Sequence, residues 1–389
     1  MSETSEVNAP SSPLHALHES VAAEFQPYGP VQIVSTFGQP EAEYSAVHKS
    51  VGLIDEPQRG ILEVSGDDRF AFLNNLLTNQ TWDKASKTGI AEGKGVYAFF
   101  LNTKGRIVAD MHAIELGDRM LLEMDVRNVE PIRSAFDKFL FREKVKMTNR
   151  VGSLHTISMH GPGAIKLLEE LGTQVGELPQ LGSVSTKLLD TDAAIWRDDI
   201  CAVPGFHIVL ESTAAKEVWT QLLSRYYENQ ELGRRRLRPI GWAAYNACRI
   251  EGGRPIFGID FDDSVLPAET GQMARAVSLT KGCYLGQEIV ARMAARNQVP
   301  RQLVGIRLGG DTLPIAGAQV QDEQGNQIGG ITSSTISPVL SNAAICLGYV
   351  KKPWFELGTV VNVPAEGAIH RAVVTELPFL KPSTTPVAS

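Results

Sequence analysis

The chain has 389 residues, of which 43% are hydrophobic and 21% are charged. One hydrophobic core rarely serves a chain of this length, so we expect two or three domains. No apolar run approaches the roughly 20 residues of a membrane helix, and the net charge of -7 disfavours nucleic acid as the main partner. We therefore expect no membrane segment and no direct contact with nucleic acid.

The first 30 residues predict a mobile tail. They are rich in Ser, Pro and Glu and contain no Arg. They lack both the apolar core of a secretory signal and the arginines of an organelle transit peptide, so a cytoplasmic location is the prediction. Residues 380–389 predict a second tail.

Between residues 41 and 141, the apolar periodicity predicts helices that alternate with strands. The predicted helices are a short one from residue 41 to Gly52 and longer ones over 67–79 and 129–141, and strands are expected over 61–66 and 119–125. Residues 95–116 predict a β-hairpin, because two apolar runs flank the turn sequence Asn-Thr-Lys-Gly.

A second series of elements follows. Strands are predicted over 154–161, 194–200 and 205–212, and helices over 162–172 and 214–230. Mixing βαβ-like units with hairpins predicts an α+β fold and not a doubly wound parallel sheet. No glycine-rich nucleotide-binding loop follows a strand.

From about residue 300 the chain consists of short segments bounded by turns, which predict a separate β-barrel or sandwich. Pro300 is expected to stop the preceding helix and so to mark the boundary. The predicted domains are thus an α+β region over 31–298 and a β domain over 299–379.

The four cysteines are Cys201, Cys248, Cys283 and Cys346, and dozens of positions separate each from the next. No Cys-x-x-Cys pair and no His-x-x-x-His pair occurs. The sequence therefore predicts no metal site.

Cys283 lies in the stretch TKGCYLGQE, just before a predicted helix with the sequence QEIVARMAAR. A helix N-terminus and the nearby Lys281 both lower the pKa of a thiol, which would make Cys283 reactive. A buried cysteine beside a turn explains the same residues equally well. In the helix itself, Glu288 and Arg292 are predicted to form an ion pair.

Asp110 lies among apolar residues in a predicted strand. A carboxylate there is costly unless it is paired or faces a cavity, but a surface-facing position on the strand is equally compatible with the pattern. Arg249 and Glu251 occupy alternate positions of one segment, where an ion pair between them is favoured over contact with a ligand.

Several of these segments resemble a known family. TKGCYLGQE matches the K-G-C-Y-x-G-Q-E signature of the YgfZ family of folate-binding, iron–sulfur-related proteins, a branch of the glycine-cleavage T-protein (aminomethyltransferase) superfamily. EYSAVHKSVGLID resembles the T-protein segment that reads E-H-x-A-V-R and then G-L-F-D, and GRIVAD resembles its G-G-I-V-D-D turn. RIEGGRPIFGID and GGITSSTISPVL resemble two further T-protein segments, so that the resemblance covers about residues 41–378.

The resemblance implies a three-domain T-protein-like fold of the α+β class, with tetrahydrofolate in a central cavity and a C-terminal β-barrel. It implies catalytic roles for Cys283, Lys281 and Asp110. The residues that it implies for folate binding are Asp110, Arg249, Tyr245, Tyr284, Gln287 and Glu288.

Two departures from the transferase pattern decide the leading prediction. Val203 stands where the transferase has a folate-binding glutamate, and AYNACR replaces A-R-D-T-L-R, so that Tyr245 stands in place of an arginine. Both changes remove charged groups that could bind the pterin. The leading prediction is therefore a folate-binding, YgfZ-like protein that supports iron–sulfur cluster synthesis or repair, and thereby tRNA modification, with a reactive Cys283.

That prediction implies iron–sulfur enzymes or assembly factors as partners, and a monomer is expected. The alternative is a true aminomethyltransferase of the glycine cleavage system, in which Asp110 is the key carboxylate. A third interpretation is a non-catalytic module in which the folate pocket is a regulatory site.

Overall fold

The computed structural model describes residues 11–228, 236–296 and 299–381. The helices in this part of the chain are α1 (His15–Ser20), α2 (Pro40–Lys49), α3 (Arg69–Leu76), α4 (Val129–Asp137), α5 (Ala164–Glu170), α6 (Ser212–Leu223), α7 (Trp242–Glu251), α8 (Met273–Ala276) and α9 (Gln287–Arg296). None of them is long and apolar enough to cross a membrane.

The strands of residues 11–239 are β1 (Glu24–Tyr28), β2 (Val31–Thr36), β3 (Gly52–Asp55), β4 (Arg59–Ser65), β5 (Trp82–Asp83), β6 (Thr88–Gly89), β7 (Gly95–Leu101), β8 (Ile107–Glu115), β9 (Arg119–Asp125), β10 (Lys146–Asn149), β11 (Leu154–His160), β12 (Ser183–Leu188), β13 (Thr191–Arg197), β14 (Gly205–Glu211) and β15 (Arg238–Pro239). Those beyond residue 300 are β16 (Arg301–Leu308), β17 (Gln319–Gln321), β18 (Gln327–Ser337), β19 (Ala343–Lys351), β20 (Val360–Ala365) and β21 (Ala368–Thr375).

Within the described residues, two larger sheets form the α+β region. The first has the strand order β10-β4-β9-β8-β7 and is antiparallel throughout. The second has the order β12-β13-β14-β11-β3-β15, and its β15 pairs with β3 in the parallel sense. The chain passes from β3 in the second sheet to β4 in the first through residues 56–58 alone.

The two sheets face each other across one apolar core. Phe99 and Leu121 of the first sheet and Trp196 and Val209 of the second belong to this core. Helices α3 and α4 cover the outer face of the first sheet, and α5 and α6 cover the outer face of the second. Because side chains alternate along a strand, one set packs into the core between the sheets and the other set packs against the outer helices.

The C-terminal residues form a closed barrel of strands in the order β16-β19-β18-β17-β20-β21. Pairing of β16 with β21 closes it and leaves no open edge among these strands. The prediction of a mixed α/β fold with a C-terminal β-barrel is confirmed. Domain bounds at 298 and 379 stay a prediction, and residues 297–298 lie outside the described part.

The N-terminal segment differs from its prediction. Residues 1–10 and 382–389 lie outside the described residues, but α1 and β1 occur within the segment predicted to be a tail up to residue 30. Leu14 and His18 are both buried, and the His18 ring contacts the Asp55 carboxylate at 3.0 Å. Composition could not reveal this, because the groups that bind α1 belong to the second sheet and its outer helices.

The predicted hairpin at residues 95–116 is confirmed as β7 and β8. At its turn, the Asn102 side chain accepts hydrogen bonds from the backbone N–H groups of Lys104 and Arg106, at 2.9 and 3.1 Å. Gly105 supplies the positive φ of 71° that the turn requires. Helix α2, by contrast, ends at Lys49, because residues 52–55 pair as β3 with β11.

Candidate functional site

A polar cavity lies where the inner faces of the two sheets meet α7 and the segment that follows it. The residues that line it are Tyr28, Glu56, Gln58, Arg59, Tyr97, Asp110, His112, Glu123, Asp198, Ile200, His207, Trp242, Tyr245, Arg254, Pro255, Ile256 and Arg275. We call this space the central cavity. It brings together side chains that are more than 200 positions apart in the sequence.

Asp110 and His112 reach the central cavity because residues two apart on β8 share a face of the sheet. Across the strand pairs, Tyr97 is opposite His112, and His112 is opposite Glu123. The first sheet therefore places one carboxylate, one imidazole and one phenol side by side on its inner face, with a second carboxylate from β9.

Asp110 is 7% exposed, and its Oδ2 accepts a hydrogen bond from the Tyr97 hydroxyl at 2.7 Å. Its Oδ1 is buried and has no hydrogen-bond partner among the described residues. Burial raises the pKa of Asp110, although Arg59 and the Tyr97 hydroxyl oppose the shift. Of the two positions that the sequence allowed for Asp110, the structure therefore has the one that faces a cavity and not the one that faces the protein surface.

The other carboxylates of the first sheet and of the loop after β13 are ion-paired. Arg59 donates two hydrogen bonds to Glu123, and the Oε2 of Glu123 also contacts His112 Nδ1 at 2.8 Å. The Asp198 carboxylate pairs with Arg275 at 2.6 Å and with Arg254 at 3.2 Å. Burial alone would raise the pKa of Glu123 and Asp198, but these cations outweigh it and hold both values low.

The second sheet contributes His207 of β14, whose Nδ1 lies 3.2 Å from Glu56 Oε2. Burial opposes a charge on His207, but the Glu56 carboxylate outweighs burial and raises the pKa of the imidazole. Its ring stacks on Trp196 with the centroids 5.3 Å apart. Tyr245 of α7 closes this side of the cavity and is 3% exposed.

The central cavity is small, with a volume of about 50 Å³, which is room for a few water molecules. A second cavity of about 630 Å³ lies beside the barrel and shares Arg254 as a lining residue. The side chains of Arg254 and Arg275 are partly exposed, at 20% and 25%. These two arginines are therefore the cavity cations with the most freedom to turn outward.

The structure does not bring Cys283 to this site. Cys283 is exposed in the loop between α8 and α9 and is not among the described residues that line the central cavity. Lys281 points the other way and is buried: its ammonium donates to the backbone carbonyls of Asn74, Leu77 and Asn79. Burial lowers the pKa of Lys281 to about 7, and its neighbours in space are these carbonyls and the Tyr284 ring.

Arg249 is fully buried, but it does not line the central cavity either. Its guanidinium pairs with Asp260 and donates to Ser333 Oγ at 2.6 Å, so that it joins α7 to the barrel. The predicted pairing of Arg249 with Glu251 is wrong. Side chains two apart on a helix point to different sides, and Asp260 lies on the side that Arg249 faces.

The remaining candidates lie at the start of α9. Tyr284 is 8% exposed and packs into the core between the sheets, where its ring contacts the Lys281 ammonium at 4.8 Å from the centroid. Gln287 is half-buried. Glu288 is exposed and forms the predicted ion pair with Arg292, at 2.9 Å. Of the eight predicted site residues, only Asp110 and Tyr245 line the central cavity in the described structure.

Sequence reasoning missed Arg59, Glu123, Asp198 and Arg275, which supply most of the charge in the cavity. A charged residue inside a strongly apolar run was the available signal for Glu123, in RMLLEMD, just as it was for Asp110. The others lie in loops or at element ends, where charged residues are ordinary.

The paired sheets, the cavity between these two sheets and the C-terminal barrel together define an aminomethyltransferase-type fold. The crystal structure of the glycine cleavage system aminomethyltransferase T from Bartonella henselae superposes with a TM-score of 0.84, at 23% identity, over 96% of this chain and 99% of that one. This likeness establishes the fold.

The sequence comparison establishes the family. The profile of the GCVT N-terminal domain matches residues 14–281, and that of the glycine cleavage T-protein C-terminal barrel domain matches residues 301–381. The chain belongs to the glycine cleavage T-protein family.

Named relatives match over nearly their whole length. The aminomethyltransferase of Chloroherpeton thalassium is 26% identical over 95% of this chain and 98% of its own length. The probable aminomethyltransferase of Natronomonas pharaonis is 28% identical over 94% of this chain and 98% of its own length.

These findings correct the leading functional prediction. Membership of the T-protein superfamily is confirmed, but the relatives are named aminomethyltransferase, and the predicted role in iron–sulfur cluster synthesis and tRNA modification is wrong. The physical reason is visible at Cys283: the residue on which that prediction depended is exposed and does not line the central cavity among the described residues. The prediction of tetrahydrofolate is confirmed at the level of the family, because aminomethyltransferases use it.

Proposed function

We propose that this protein is an aminomethyltransferase that moves a one-carbon unit from an aminomethyl group to tetrahydrofolate. The observation that carries the proposal is the Asp110 carboxylate, which is buried in the central cavity with one oxygen unpaired. The names of the relatives support the class of reaction.

The groups in the central cavity match the chemistry of a reduced pterin. A pterin ring is flat and carries N–H donors along its edge. Trp242 and Tyr245 offer aromatic surfaces to such a ring, and Asp110 offers an acceptor oxygen. We infer that these three residues hold the ring.

The cavity must widen to admit it. Its volume of about 50 Å³ is well below the roughly 300 to 1,000 Å³ of typical ligand pockets. Outward rotation of Arg254 and Arg275 would widen it, because both side chains are already partly exposed, and Asp198 would then lose its two partners to the ligand.

Asp110 is suited to receive a proton from a reacting amine or to stabilise positive charge there. Tyr97 donates to one oxygen of the carboxylate, which fixes its orientation and leaves the other oxygen free to accept. Because burial raises the pKa of Asp110, its affinity for a proton is closer to what catalysis near neutral pH requires. Bound tetrahydrofolate supplies the nitrogen that accepts the one-carbon unit.

Because two charged residues of the transferase pattern are absent, Asp110 has a larger part in binding the pterin ring of tetrahydrofolate. Val203, in place of the glutamate, is half-buried among apolar residues that include Ile54 and Ile240. Among the described residues, Glu56, Glu123 and Asp198 are already paired with His207, Arg59 and Arg275. Asp110 is the carboxylate that retains an unsatisfied buried oxygen.

In the test, the protein is mixed with tetrahydrofolate and a lipoylated carrier protein that bears an aminomethyl group. The formation of methylenetetrahydrofolate and ammonia is measured. Asp110→Asn should lower kcat/KM by about 10² to 10⁴, as expected for loss of a general acid or base. The matched control is Asp118→Asn, the same change at a 73% exposed carboxylate in the turn between β8 and β9.

Absence of product with the wild-type protein would contradict the proposal. Turnover of Asp110→Asn equal to that of Asp118→Asn would contradict the assigned role of Asp110. Calorimetric binding of tetrahydrofolate without any turnover would instead identify a non-catalytic folate-binding module.

A further inference from the structure

A second polar cluster lies outside the central cavity, where α2, α7 and the barrel meet. His48 comes from the last turn of α2, and Cys248 and Glu251 come from α7. The His48 Nε2 atom lies 2.9 Å from Glu251 Oε2 and 3.6 Å from Cys248 Sγ, and one ligand atom from each residue lies within 4.8 Å of the other two. Cys248 and Glu251 are three positions apart on α7 and so share one face of the helix.

These distances suit a tetrahedral metal ion. Zn²⁺ binds imidazole nitrogen at about 2.0–2.1 Å and thiolate sulfur at about 2.3 Å, which sets neighbouring ligand atoms about 3.4–3.6 Å apart. The His48–Cys248 distance of 3.6 Å already meets this value. The distance between His48 Nε2 and Glu251 Oε2 would increase by roughly 0.5 Å, since a metal ion would replace the proton between these two atoms.

Charge and burial favour the same ion. Cys248 and Glu251 are both 0% exposed, and the His48 side chain is 11% exposed. A divalent cation with one thiolate and one carboxylate is electrically neutral, which is the form that a buried site tolerates. A combination of sulfur, nitrogen and carboxylate oxygen is typical of zinc and not of magnesium or calcium.

Glu251 is also oriented for this role by its neighbours. Its Oε1 accepts hydrogen bonds from the Tyr44 hydroxyl and from Ser337 Oγ, both at 2.5 Å. Such partners hold a ligating carboxylate in place. They occupy one oxygen and leave Oε2 directed to His48.

A cavity with room for a fourth ligand lies beside the cluster. A cavity of about 560 Å³ lies between α2, α7 and the barrel, and Tyr44 and His48 are among the residues that line it. The rest of its lining is largely apolar and includes Ala247 and Val339. Catalytic or ligand-binding zinc sites keep such a position for water or an incoming donor.

We propose that His48, Cys248 and Glu251 form a zinc-binding site whose fourth position faces this cavity and takes water or a small oxygen- or nitrogen-donor ligand. The sequence predicts no metal site, because the three ligands come from two distant helices and have no short spacing. In the T-protein segments quoted above, arginine stands at the position of His48 and leucine at that of Cys248, so two of the three ligands are departures of this chain.

Binding of the ion is balanced by the loss of protons. The Cys248 thiol gives up its proton, and His48 must carry its remaining proton on Nδ1 so that Nε2 offers a lone pair. Affinity for zinc should therefore fall as the pH falls.

The experiment uses the full chain with the exposed Cys283 changed to Ser, so that this thiol cannot bind metal. After treatment with a chelator, the protein is titrated with Co²⁺, which gives a thiolate charge-transfer band when sulfur is a ligand, and zinc competition is measured next. We expect one cobalt per chain, with zinc displacing it. Cys248→Ala and His48→Arg should each weaken binding at least tenfold, as for loss of a direct ligand.

His48→Arg removes the imidazole ligand but keeps a hydrogen-bond donor that can face Glu251, and circular dichroism checks that the fold is retained. Cys346→Ala is the matched control, since Cys346 is an equally buried cysteine inside the barrel. Less than stoichiometric cobalt, or a charge-transfer band that persists in Cys248→Ala, would overturn the proposal. The readout does not use aminomethyl transfer, so it is independent of the proposed function.

Discussion

The central cavity and the segment of residues 280–288 bring their chemical groups together in different ways. In the segment, neighbours in the sequence diverge in space: Lys281 turns into the core, whereas Cys283 and Glu288 are exposed. In the central cavity, Asp110 comes from β8 and Asp198 from the loop after β13, yet the two are buried together. Adjacent residues with reactive side chains therefore do not by themselves make a site; shared burial does.

The strongest test of this comparison is activity. Asp110→Asn should reduce aminomethyl transfer by about 10² to 10⁴, whereas Cys283→Ala should leave kcat/KM within about twofold of the wild type. The reason is that, of these two residues, Asp110 lines the central cavity and Cys283 does not. The measurement is kcat and KM for both variants. A loss of kcat/KM in Cys283→Ala as large as that in Asp110→Asn would show that the segment of residues 280–288 also belongs to the active site.

The next effect concerns stability and Lys281. Lys281→Met should lower the free energy of unfolding by about 1–3 kcal/mol, because carbonyls of residues 74–79 lose their hydrogen-bond donor. Urea unfolding measures the change. Lys104→Met, at an exposed lysine in the β7–β8 turn, is the control; equal effects of the two changes would show that the buried contacts contribute nothing.

A pH-dependent effect of similar size is expected beside the central cavity. Burial, followed by the charge of His207, lowers the pKa of His160 to about 4, against about 6.5 for an unfolded histidine. Between these values the unfolded chain binds more protons, so stability is lost as the pH falls through this window, by about 3 kcal/mol for this group.

Unfolding free energies at pH 7.5, 6.0 and 4.5 test this expectation. His160→Gln should have a weaker dependence on pH than the wild type, because the group that takes up the proton on unfolding is absent. Identical slopes for the two proteins would assign the dependence to other groups.

The smallest effect is expected at Glu288. Glu288→Gln should change the free energy of unfolding by no more than about 0.5 kcal/mol, since its pairing with Arg292 is exposed. Tetrahydrofolate binding, measured by calorimetry, should not change, because Glu288 is exposed and does not line the central cavity. A clear loss of folate affinity would show that the segment of residues 280–288 contributes to folate binding.

Local features were predictable from the sequence. The hairpin of residues 95–116 and the pairing of Glu288 with Arg292 depend on residues a few positions apart, and both follow from turn chemistry and helical spacing. Asp110 was recognisable because a carboxylate among apolar neighbours needs a special environment. The turn-bounded segments after residue 300 predicted a β-barrel or sandwich, and the resemblance decided for the barrel and supplied the family.

The orientations of Lys281 and Arg249 were not predictable. Each is decided by groups distant in the sequence: carbonyls in and just after α3 for Lys281, and Asp260 with the barrel strand β18 for Arg249. The same applies to the His48 cluster, where two helices about 200 positions apart must first pack. Long-range contacts of this kind leave no periodic pattern in a single sequence.

The passage of the chain from β3 to β4 through three residues has a consequence for biosynthesis. β3 becomes an interior strand of a sheet whose other members are made between residues 154 and 239, whereas β4 belongs to a sheet completed by residue 149. The emerging polypeptide can pair β4 while β3, directly before it, still waits for its neighbours. The first partner of β3, β11, is complete only at residue 160, and the second, β15, only at residue 239, so β3 stays unpaired throughout the synthesis of the first sheet.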